Sequence, residues 1–338
     1  MSTNTMKAIR LHEFGGPDVL RYETVPVPEP KPGEVLVRVH AVGVNPPDWY
    51  LRDGYEHQRL PADLMPSIPL PAIPGSDVSG VVAAVAPDVE GLSVGDDVFG
   101  MLRFPSFGDS AAYAEYVSAP ASDVALKPPG VDHVHAAGAP MSGLTAWQFL
   151  VEVGHDVPNP LQPRPHRPVP LEGRRVLVNG AAGGVGHLAL QLAKWRGAHV
   201  IAVASGSHEA FLRELGADQV VDYTAVRPEE VIGDLDLVVD AVGGPTTVRF
   251  LPTLKQGGAL FPVFPGFADH DEAAKRGVTV SMTQVRSDGT QLAELGRLLD
   301  DGTVRVAVDG TFPLEHARAA HERAAAGHLR GKIVLTVD

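Results

Sequence analysis

A glycine-rich segment, Asn179-Gly-Ala-Ala-Gly-Gly-Val-Gly186, carries the clearest chemical signal in the sequence. A short apolar stretch typical of a strand, 175–179, precedes it, and a helix is predicted over 185–196. Small residues in such a turn let backbone N–H groups approach a diphosphate, and the helix N-terminus adds a partial positive charge. No Gly-Lys-Ser/Thr ending of a P-loop is present, so the pattern predicts a dinucleotide site. The expected pyrophosphate-binding residues are Ala182, Gly183, Gly184 and Val185.

The end of the next predicted strand, 199–204, bears on which dinucleotide is bound. An NAD site usually has an Asp or Glu there, which accepts a hydrogen bond from the ribose 2′-OH. This strand is followed by Ser205-Gly-Ser-His208, and the first carboxylate, Glu209, is expected to begin a helix. Hydroxyl groups and a histidine can receive a 2′-phosphate, which an acid would repel. The sequence therefore favours NADPH, with Ser205 and His208 as the candidate residues.

Composition excludes several other classes of function. The 338 residues include 28 Lys and Arg against 41 Asp and Glu, a net charge of −13 that disfavours nucleic acid and anionic membranes as partners. The chain has no cysteine, which excludes disulfides, thiolate nucleophiles and Cys-containing zinc sites. No apolar run reaches the roughly 18 residues of a membrane helix, and the first ten residues lack the apolar core of a signal peptide. A cytoplasmic protein is expected.

The elements that must position these residues change in character along the chain. The first 135 residues are rich in short strands, predicted at 35–42, 80–85 and 112–117, and favour a barrel-like or sandwich domain. From residue 136 a helix (136–151) and then alternating strands and helices predict a doubly wound parallel sheet. Its further strands are predicted at 219–222, 235–240, 259–263 and 278–282, with a helix at 209–215.

Two late strands, 304–308 and 332–337, are predicted with helices at 290–299 and 314–326. The expected domains are therefore 1–135, 136–303 and a return of the chain over 304–338. The segments 55–74 and 154–170 are rich in proline and are expected to be loops that shape the substrate entrance or a subunit surface.

With these motifs in hand, the chain resembles the zinc-independent, quinone oxidoreductase-like branch of the medium-chain dehydrogenase/reductase superfamily. The resemblance covers nearly the whole sequence. It is carried, in this order, by Met6-Lys-Ala-Ile, Phe14-Gly-Gly-Pro17, Val42-Gly-Val-Asn45-x-x-Asp48, Pro74-Gly-Ser-Asp-Val-Ser-Gly80, Val94-Gly-Asp-Asp-Val98, Gly143-Leu-Thr-Ala146, the glycine-rich segment, Leu215-Gly-Ala-Asp218 and Gly331-Lys-Ile-Val-Leu335.

The resemblance implies a GroES-like β-barrel catalytic domain interrupted by a Rossmann domain, with the C-terminal strand returning to the barrel. It implies NADPH in the cleft between them and hydride transfer to a quinone or an α,β-unsaturated carbonyl as small-molecule substrate. It also implies a homodimer, formed through an edge strand at 278–282. Zinc-dependent members have a Cys and a Gly-His-Glu stretch where this chain has Asn45 and Gly75-Ser-Asp77.

The resemblance places Asn45, Asp48 and Tyr50 beside the nicotinamide as the catalytic candidates. Asn45 is expected to bind the nicotinamide ribose or the substrate carbonyl, and Asp48 either to act there or to hold the loop by accepting backbone N–H groups. Tyr50 is either a proton donor or an aromatic wall of the pocket. Further flat walls could come from Trp49, Tyr55, Phe104, Phe107 and Phe264.

Six more positions are implied to bind the cofactor. Thr145 is expected near the nicotinamide, Tyr223 near the adenosine phosphate, Val242 and Gly243 near the adenosine ribose, and Val263 near the carboxamide. Lys332 is expected either to contact a phosphate or to be a surface lysine.

Other interpretations remain open at this stage. Asp132-His-Val-His135 has the spacing of metal ligands without an evident third ligand, so a loop exposed to solvent is the expected alternative. No Gly-x-Ser-x-Gly elbow supports a serine hydrolase. An enoyl-thioester reductase would use the same cofactor chemistry, and an NADPH-binding protein with little catalytic activity is the alternative from a different class.

Overall fold

The computed structural model describes residues 4–56, 67–105, 109–154 and 165–337. The strands found in these residues are β1 (Thr5–Arg10), β2 (Arg21–Pro26), β3 (Glu34–Val44), β4 (Asp77–Val85), β5 (Asp97–Met101), β6 (Tyr116–Pro120), β7 (Val124–Leu126), β8 (Arg175–Asn179), β9 (His199–Ala204), β10 (Gln219–Asp222), β11 (Leu235–Asp240), β12 (Leu254–Pro262), β13 (Thr279–Val280), β14 (Val308–Pro313) and β15 (Lys332–Thr336).

The α-helices in the same residues are α1 (Pro46–Arg52), α2 (His133–Gly138), α3 (Pro140–Leu150), α4 (Gly184–Trp195), α5 (Glu209–Glu214), α6 (Pro228–Val231), α7 (His270–Lys275), α8 (Gly289–Asp300) and α9 (Ala317–Ala325). Single 3₁₀ turns and one longer 3₁₀ segment, Pro245–Thr253, connect some of them. Within these described ranges, no helix combines the length and the hydrophobicity that crossing a bilayer requires.

Six parallel strands form the nucleotide-binding type of sheet, in the order β10-β9-β8-β11-β12-β13. The order reverses between β8 and β11, and ligands of such sheets bind in the crevice at that reversal. The strands are apolar on both faces because helices cover both: Leu177, for example, is fully buried. The α/β fold with a doubly wound parallel sheet is thereby confirmed.

A second sheet holds the early strands together with the late ones, in the order β14-β15-β3-β4-β5-β7, with β6 also paired to β3. Strand β3 is long enough to pair with two partners on one side: Glu34–Arg38 with β6 and Ala41–Val44 with β15. Shifts of register at Leu36/Val37 and Val39/Ala41 let it bend between them. This bent sheet corresponds to the barrel-like domain that the short early strands predict.

Three predicted strands differ from the structure. Residues 304–307 are not a strand: the Arg305 and Ala307 N–H groups donate to Gln191 and His187 of α4 instead of a neighbouring strand, and β14 begins only at Val308. The strand expected at 112–117 begins at Tyr116, because the backbone of Ala112 and Tyr113 binds the 74–75 loop. The edge strand is only Thr279–Val280.

The predicted helix 136–151 is two helices, because Pro140 begins α3 after the cap of α2. Asp132 caps α2, and its carboxylate accepts the His135 N–H at 2.8 Å, so the histidine pair lies on a helix rather than a loop. Strand β13 does lie at the edge of the parallel sheet. The homodimer and the three domain boundaries stay predictions.

Candidate active site

The glycine-rich loop lies at the carboxyl end of β8 and lines a cavity of about 170 Å³. Helix α1 contributes Pro46 and Trp49 to the same cavity, α3 contributes Ser142, and β15 contributes Lys332. A larger cavity of about 590 Å³ lies elsewhere, between β7 and α8. The smaller one is the candidate site, since it joins the phosphate-binding loop to helix α1 at the reversal of the sheet, although Asn45, Asp48 and Tyr50 themselves are not among its lining residues.

The local geometry of the loop fits a bound diphosphate. Gly180 has a φ of +71°, and a Cβ on Gly186 would come within 2.1 Å of the Gly180 carbonyl oxygen. Helix α4 can therefore start this close to the loop only with glycine at 186. A Cβ on Gly183 would meet only one atom within 4 Å, so space is open where a ligand would approach. The first N–H groups of α4 have no partners within the helix and point to that space.

The loop that follows β11 is organised by Asp240, a residue that the sequence analysis missed. Its buried carboxylate accepts the N–H groups of Val242 (3.1 Å) and Gly243 (2.9 Å) and the Thr247 hydroxyl (2.6 Å). The Asn179 amide donates to it as well, at 2.7 Å. The Asp240 carbonyl accepts the Val263 N–H at 3.0 Å. The three predicted positions 242, 243 and 263 are thus held together at the carboxyl ends of β11 and β12.

The turn after β9 brings together the residues expected at the adenosine end. Tyr223 N–H donates to Ala204 O at 3.1 Å, and the hydroxyls of Ser205 and Ser207 are 2.9 Å apart. Burial lowers the pKa of His208, and the nearby positive charge of Arg330 lowers it further. Arg330 comes from the segment before β15, so its presence at this turn could not be read from the local sequence.

The Asp222 carboxylate also lies at this turn and faces the backbone. It accepts the Thr224 N–H (2.9 Å) and hydroxyl (2.6 Å), and the Gly206 N–H also donates to it. These bonds lower the pKa of Asp222. The negative charge of Asp222 is therefore partly compensated by hydrogen-bond donors of the turn itself.

On the catalytic side, Asn45 lies between the buried Lys332 ammonium and the buried Asp77 carboxyl group. Its Nδ2 donates to Asp77 Oδ2 at 2.9 Å and to Gly43 O at 3.2 Å, while its Oδ1 accepts from Lys332 Nζ. Asp77 Oδ1 accepts the Met141 N–H at 2.9 Å. Burial raises the pKa of Asp77 to about 7, although the Lys332 charge opposes the change. Burial lowers the pKa of Lys332, and both Asp77 and Asp48 oppose this.

Asp48 accepts a backbone N–H group, which is the contact that the loop-holding alternative predicts. Its Oδ2 accepts the Asn45 N–H at 2.8 Å and the Tyr113 hydroxyl at 3.0 Å. Burial raises its pKa to about 6, and these hydrogen bonds lessen the rise. The line of polar groups continues from Tyr113 to His321 Nε2 (3.2 Å) and from His321 Nδ1 to Arg52 (3.1 Å). Burial and Arg52 lower the pKa of His321 to about 3, so it is neutral here.

Tyr50 lies among aromatic rings contributed by three segments. Its ring centroid is 6.1 Å from Trp49, 6.2 Å from Tyr55 and 6.2 Å from Phe264, which follows β12. Tyr55 has a φ of +62°, and its N–H donates to Tyr50 O at 2.7 Å. Three of the expected flat walls therefore surround Tyr50. Phe104 packs against the core under α3 and α8, and Phe107 lies outside the described residues.

Not every predicted cofactor residue lies at the cavity. The Thr145 hydroxyl donates to Met141 O within α3 at 2.7 Å, and Ser142, one turn earlier, lines the cavity in its place. Lys332 is 3% exposed, so the surface-lysine alternative is wrong. The resemblance flagged position 77 only as part of a lost zinc site, and Tyr113 gave no signal beyond its aromatic character.

The donor set does not fit a catalytic zinc. Asn45 and Ser76 stand where zinc-dependent members of the superfamily have ligands, and both Asn45 side-chain atoms are already bound. The Lys332 ammonium beside them would repel a divalent cation. Across the described ranges, no three His, Asp or Glu side chains converge as metal ligands would.

Comparison with known proteins identifies the family. Residues 31–129 match the model of the alcohol dehydrogenase GroES-like domain, and residues 215–335 match a zinc-binding dehydrogenase model. The chain is 32% identical to the mouse (Mus musculus) mitochondrial NAD(P)H oxidoreductase RTN4IP1, over 99% of this chain and 90% of that protein. It is 32% identical to the tomato (Solanum lycopersicum) 2-methylene-furan-3-one reductase, over 98% and 79%.

A solved structure shows the same fold along the whole chain. The quinone oxidoreductase from Coxiella burnetii superposes with a TM-score of 0.84 at 32% identity, over 99% of this chain and 100% of that one. Such proteins use a nicotinamide cofactor, and the loop at 180–186 fits one. The chain is therefore a member of the medium-chain dehydrogenase/reductase superfamily, in its quinone oxidoreductase-like branch, and an NAD(P)H-dependent oxidoreductase.

Proposed function

We propose that the protein is an NADPH-dependent reductase that transfers hydride, without zinc, to a quinone or to an α,β-unsaturated carbonyl. The observation that carries this proposal is the shared cavity: the diphosphate-binding loop and helix α1, through Pro46 and Trp49, line the same space. Two relatives support the acceptor class by their names, one a quinone oxidoreductase and the other a reductase of a methylene-furanone. A methylene group conjugated to a ring ketone is itself an α,β-unsaturated carbonyl.

Residues of this chain would orient the cofactor and the acceptor, exclude water from between them and supply charged groups. The loop from Ala182 to Val185 would hold the pyrophosphate, and the Asp240-bound loop the adenosine ribose and carboxamide side. When bound, the reduced nicotinamide supplies a hydride. Tyr50 and the rings around it give a flat, apolar wall against which a planar acceptor can lie in line with that hydride.

Charge at the adenosine end supports NADPH over NADH. The Arg330 guanidinium acts electrostatically on His208 at the turn after β9, where the Asp309 carboxylate opposes it, and no carboxylate ends that strand. An arginine pairs well with a phosphate monoester. The Asp222 carboxylate would repel a 2′-phosphate only weakly, because N–H and hydroxyl donors of the same turn already bind it.

The proposal is tested by following oxidation of NADPH and of NADH with a panel of quinones, enals and 2-alkenones. We expect NADPH to give the higher kcat/KM, and Arg330→Met to remove most of that preference by raising the KM for NADPH while the KM for NADH is unaffected. Preference for NADH would contradict the 2′-phosphate argument. Activity confined to saturated alcohols would contradict the reductase assignment, and activity confined to thioesters would favour the enoyl-thioester alternative.

Tyr50→Phe separates the two roles of that side chain. The variant keeps the aromatic wall and removes the hydroxyl group. An unchanged turnover number means that Tyr50 is a wall, whereas a loss of about 100-fold or more means that it donates a proton. Binding of NADPH without turnover on any acceptor would favour the alternative of a nucleotide-binding protein.

A further inference from the structure

The Lys332 ammonium is fixed at the floor of the cavity by the chain on both sides of it. Lys332 N–H donates to Ala307 O and Gly331 N–H donates to Ala182 O, each at 2.8 Å, so the segment runs directly against the glycine-rich loop. Lys332 Nζ donates to Val44 O at 3.1 Å and to Asn45 Oδ1. An ammonium group has three N–H bonds. Within the described ranges these acceptors use two of them, which leaves one for a molecule in the cavity that Lys332 lines.

Asn45 was expected to bind the substrate or the ribose, but within the described ranges its side-chain N–H groups are already bound to other residues. Its amide nitrogen is bound to Asp77 and Gly43, and its oxygen to Lys332. The amide is thereby oriented with its oxygen toward the cation and its nitrogen toward the carboxylate. Asn45 and Asp77 are both at most 1% exposed, so this line of groups is shielded from water and keeps its direction.

We propose that the Lys332 ammonium is the group that stabilises negative charge on the oxygen of the hydride acceptor, with Asn45 and Asp77 as the residues that position it. The proposal rests on the proposed function of the same site. In this proposal Lys332, rather than Asn45, donates the hydrogen bond to the acceptor oxygen. Lys332 would then not serve as the contact to a cofactor phosphate. Fixed donors in a shielded site stabilise such charge more than water does, because they need no reorganisation.

The chemistry balances without any further reactant. A hydride, two electrons and a proton, leaves the reduced nicotinamide and forms a C–H bond at the β-carbon of an enone. The electron pair of the C=C bond moves to form the enolate, whose oxygen carries the negative charge beside Lys332. The ammonium keeps its proton, and water then protonates the α-carbon. With a quinone, the hydride forms an O–H bond at one carbonyl oxygen and the electron pair moves through the ring to the other oxygen. That oxygen carries the negative charge beside Lys332 and takes a proton from water to give the hydroquinone.

The main test compares wild type with Lys332→Met and Lys332→Arg, and with Lys255→Met as a matched control at an exposed ion pair remote from the cavity. Affinity for NADPH is measured by calorimetry, and hydride transfer to 1,4-benzoquinone in a single turnover at saturating NADPH. We expect Lys332→Met to slow hydride transfer by about 100-fold or more, with less than about a threefold change in Kd. Lys332→Arg should recover part of the loss, and Lys255→Met should change neither.

A readout that needs no turnover uses 4-nitrophenol, whose phenolate has a visible absorption band, bound in the presence of NADP⁺. An ammonium beside the phenol oxygen favours the phenolate, so the pKa of the bound phenol should be at least about one unit higher in Lys332→Met than in wild type. An equal pKa in the two proteins, or no binding of the phenol, would overturn the proposal. A tenfold or larger rise in the NADPH Kd with unchanged hydride transfer would overturn it in favour of a phosphate contact.

Removal of one buried charge alone could prevent folding. The double variant Lys332→Met/Asp77→Asn removes both ionisable groups together, so that neither is left buried without the other, and the same expectations apply to it. If wild type reduces no acceptor at all, the proposed function fails, while the phenol titration still decides whether Lys332 stabilises an oxyanion.

Discussion

Replacement of Asp77 by Asn should remove a large part of the pH dependence of stability. The Asp77 carboxyl is completely buried, and its pKa rises from 3.8 to about 7 on folding. The folded protein therefore binds this proton more tightly than the unfolded chain does. Stability from this group is fully present below pH 3.8 and is lost as the pH rises through about 7.

The size of this pH dependence follows from the difference between the pKa of Asp77 in the folded protein and in the unfolded chain. Between pH 5 and pH 7 the unfolded chain has lost this proton and the folded protein still holds most of it. The free energy of unfolding should then fall by about 1.4 kcal/mol per pH unit, or about 2 kcal/mol over that interval, and level off above pH 7.5 or so. Asn has almost the same size and does not titrate, so the variant should lack this slope.

The assay is urea unfolding of both proteins at closely spaced pH values from 5 to 8.5, with the difference between their free energies of unfolding plotted against pH. Asp236→Asn is the control, because bonds to the Arg175 N–H and to Lys255 lower the pKa of Asp236. Its carboxyl is ionised in both states above pH 5, so that difference plot should be flat. A flat plot for Asp77→Asn would refute the raised pKa and the argument built on burial.

Three further substitutions test the rest of the structure. Gly186→Ala should abolish NADPH binding in calorimetry, because its Cβ would lie 2.1 Å from the Gly180 carbonyl oxygen; retained binding would contradict the described loop. Asp240→Asn should lower the free energy of unfolding by about 2 kcal/mol in urea, since loss of the negative charge weakens its bonds to the Val242 and Gly243 N–H groups, and should also weaken NADPH binding. Leu177→Ala should cost about 3 kcal/mol in the same assay, and a cost below about 1 kcal/mol would show that the sheet centre is loosely packed.

The parallel sheet was predictable from the sequence because its strands are short, apolar and bounded by glycine. The predicted strands 175–179, 199–204, 219–222 and 235–240 coincide with β8, β9, β10 and β11. At 304–307, where the predicted strand is absent, side chains from a distant helix bind the backbone. Residues 304–307 have the composition of a strand, yet Gln191 and His187 of α4 satisfy their N–H groups.

In the candidate site, too, the features set by local sequence were predictable and those set by contacts between distant residues were not. The glycine-rich loop was predicted because its requirements are local, whereas the partners of Asn45 come from residues 77 and 332, far apart in the chain. Arg330 reaches the turn after β9 for the same reason. A spacing argument cannot see such pairs, because the sheet order, not the sequence interval, brings them together.

Strand β15 lies between β14 and β3 in the second sheet, so a segment made late in translation fills an interior place among strands made early. On the ribosome, residues 41–44 must wait with an open edge until residues 332–336 emerge. The parallel sheet, whose strands lie between them in the sequence, can assemble during that interval. The strand order therefore makes completion of this sheet a late step of the protein's synthesis.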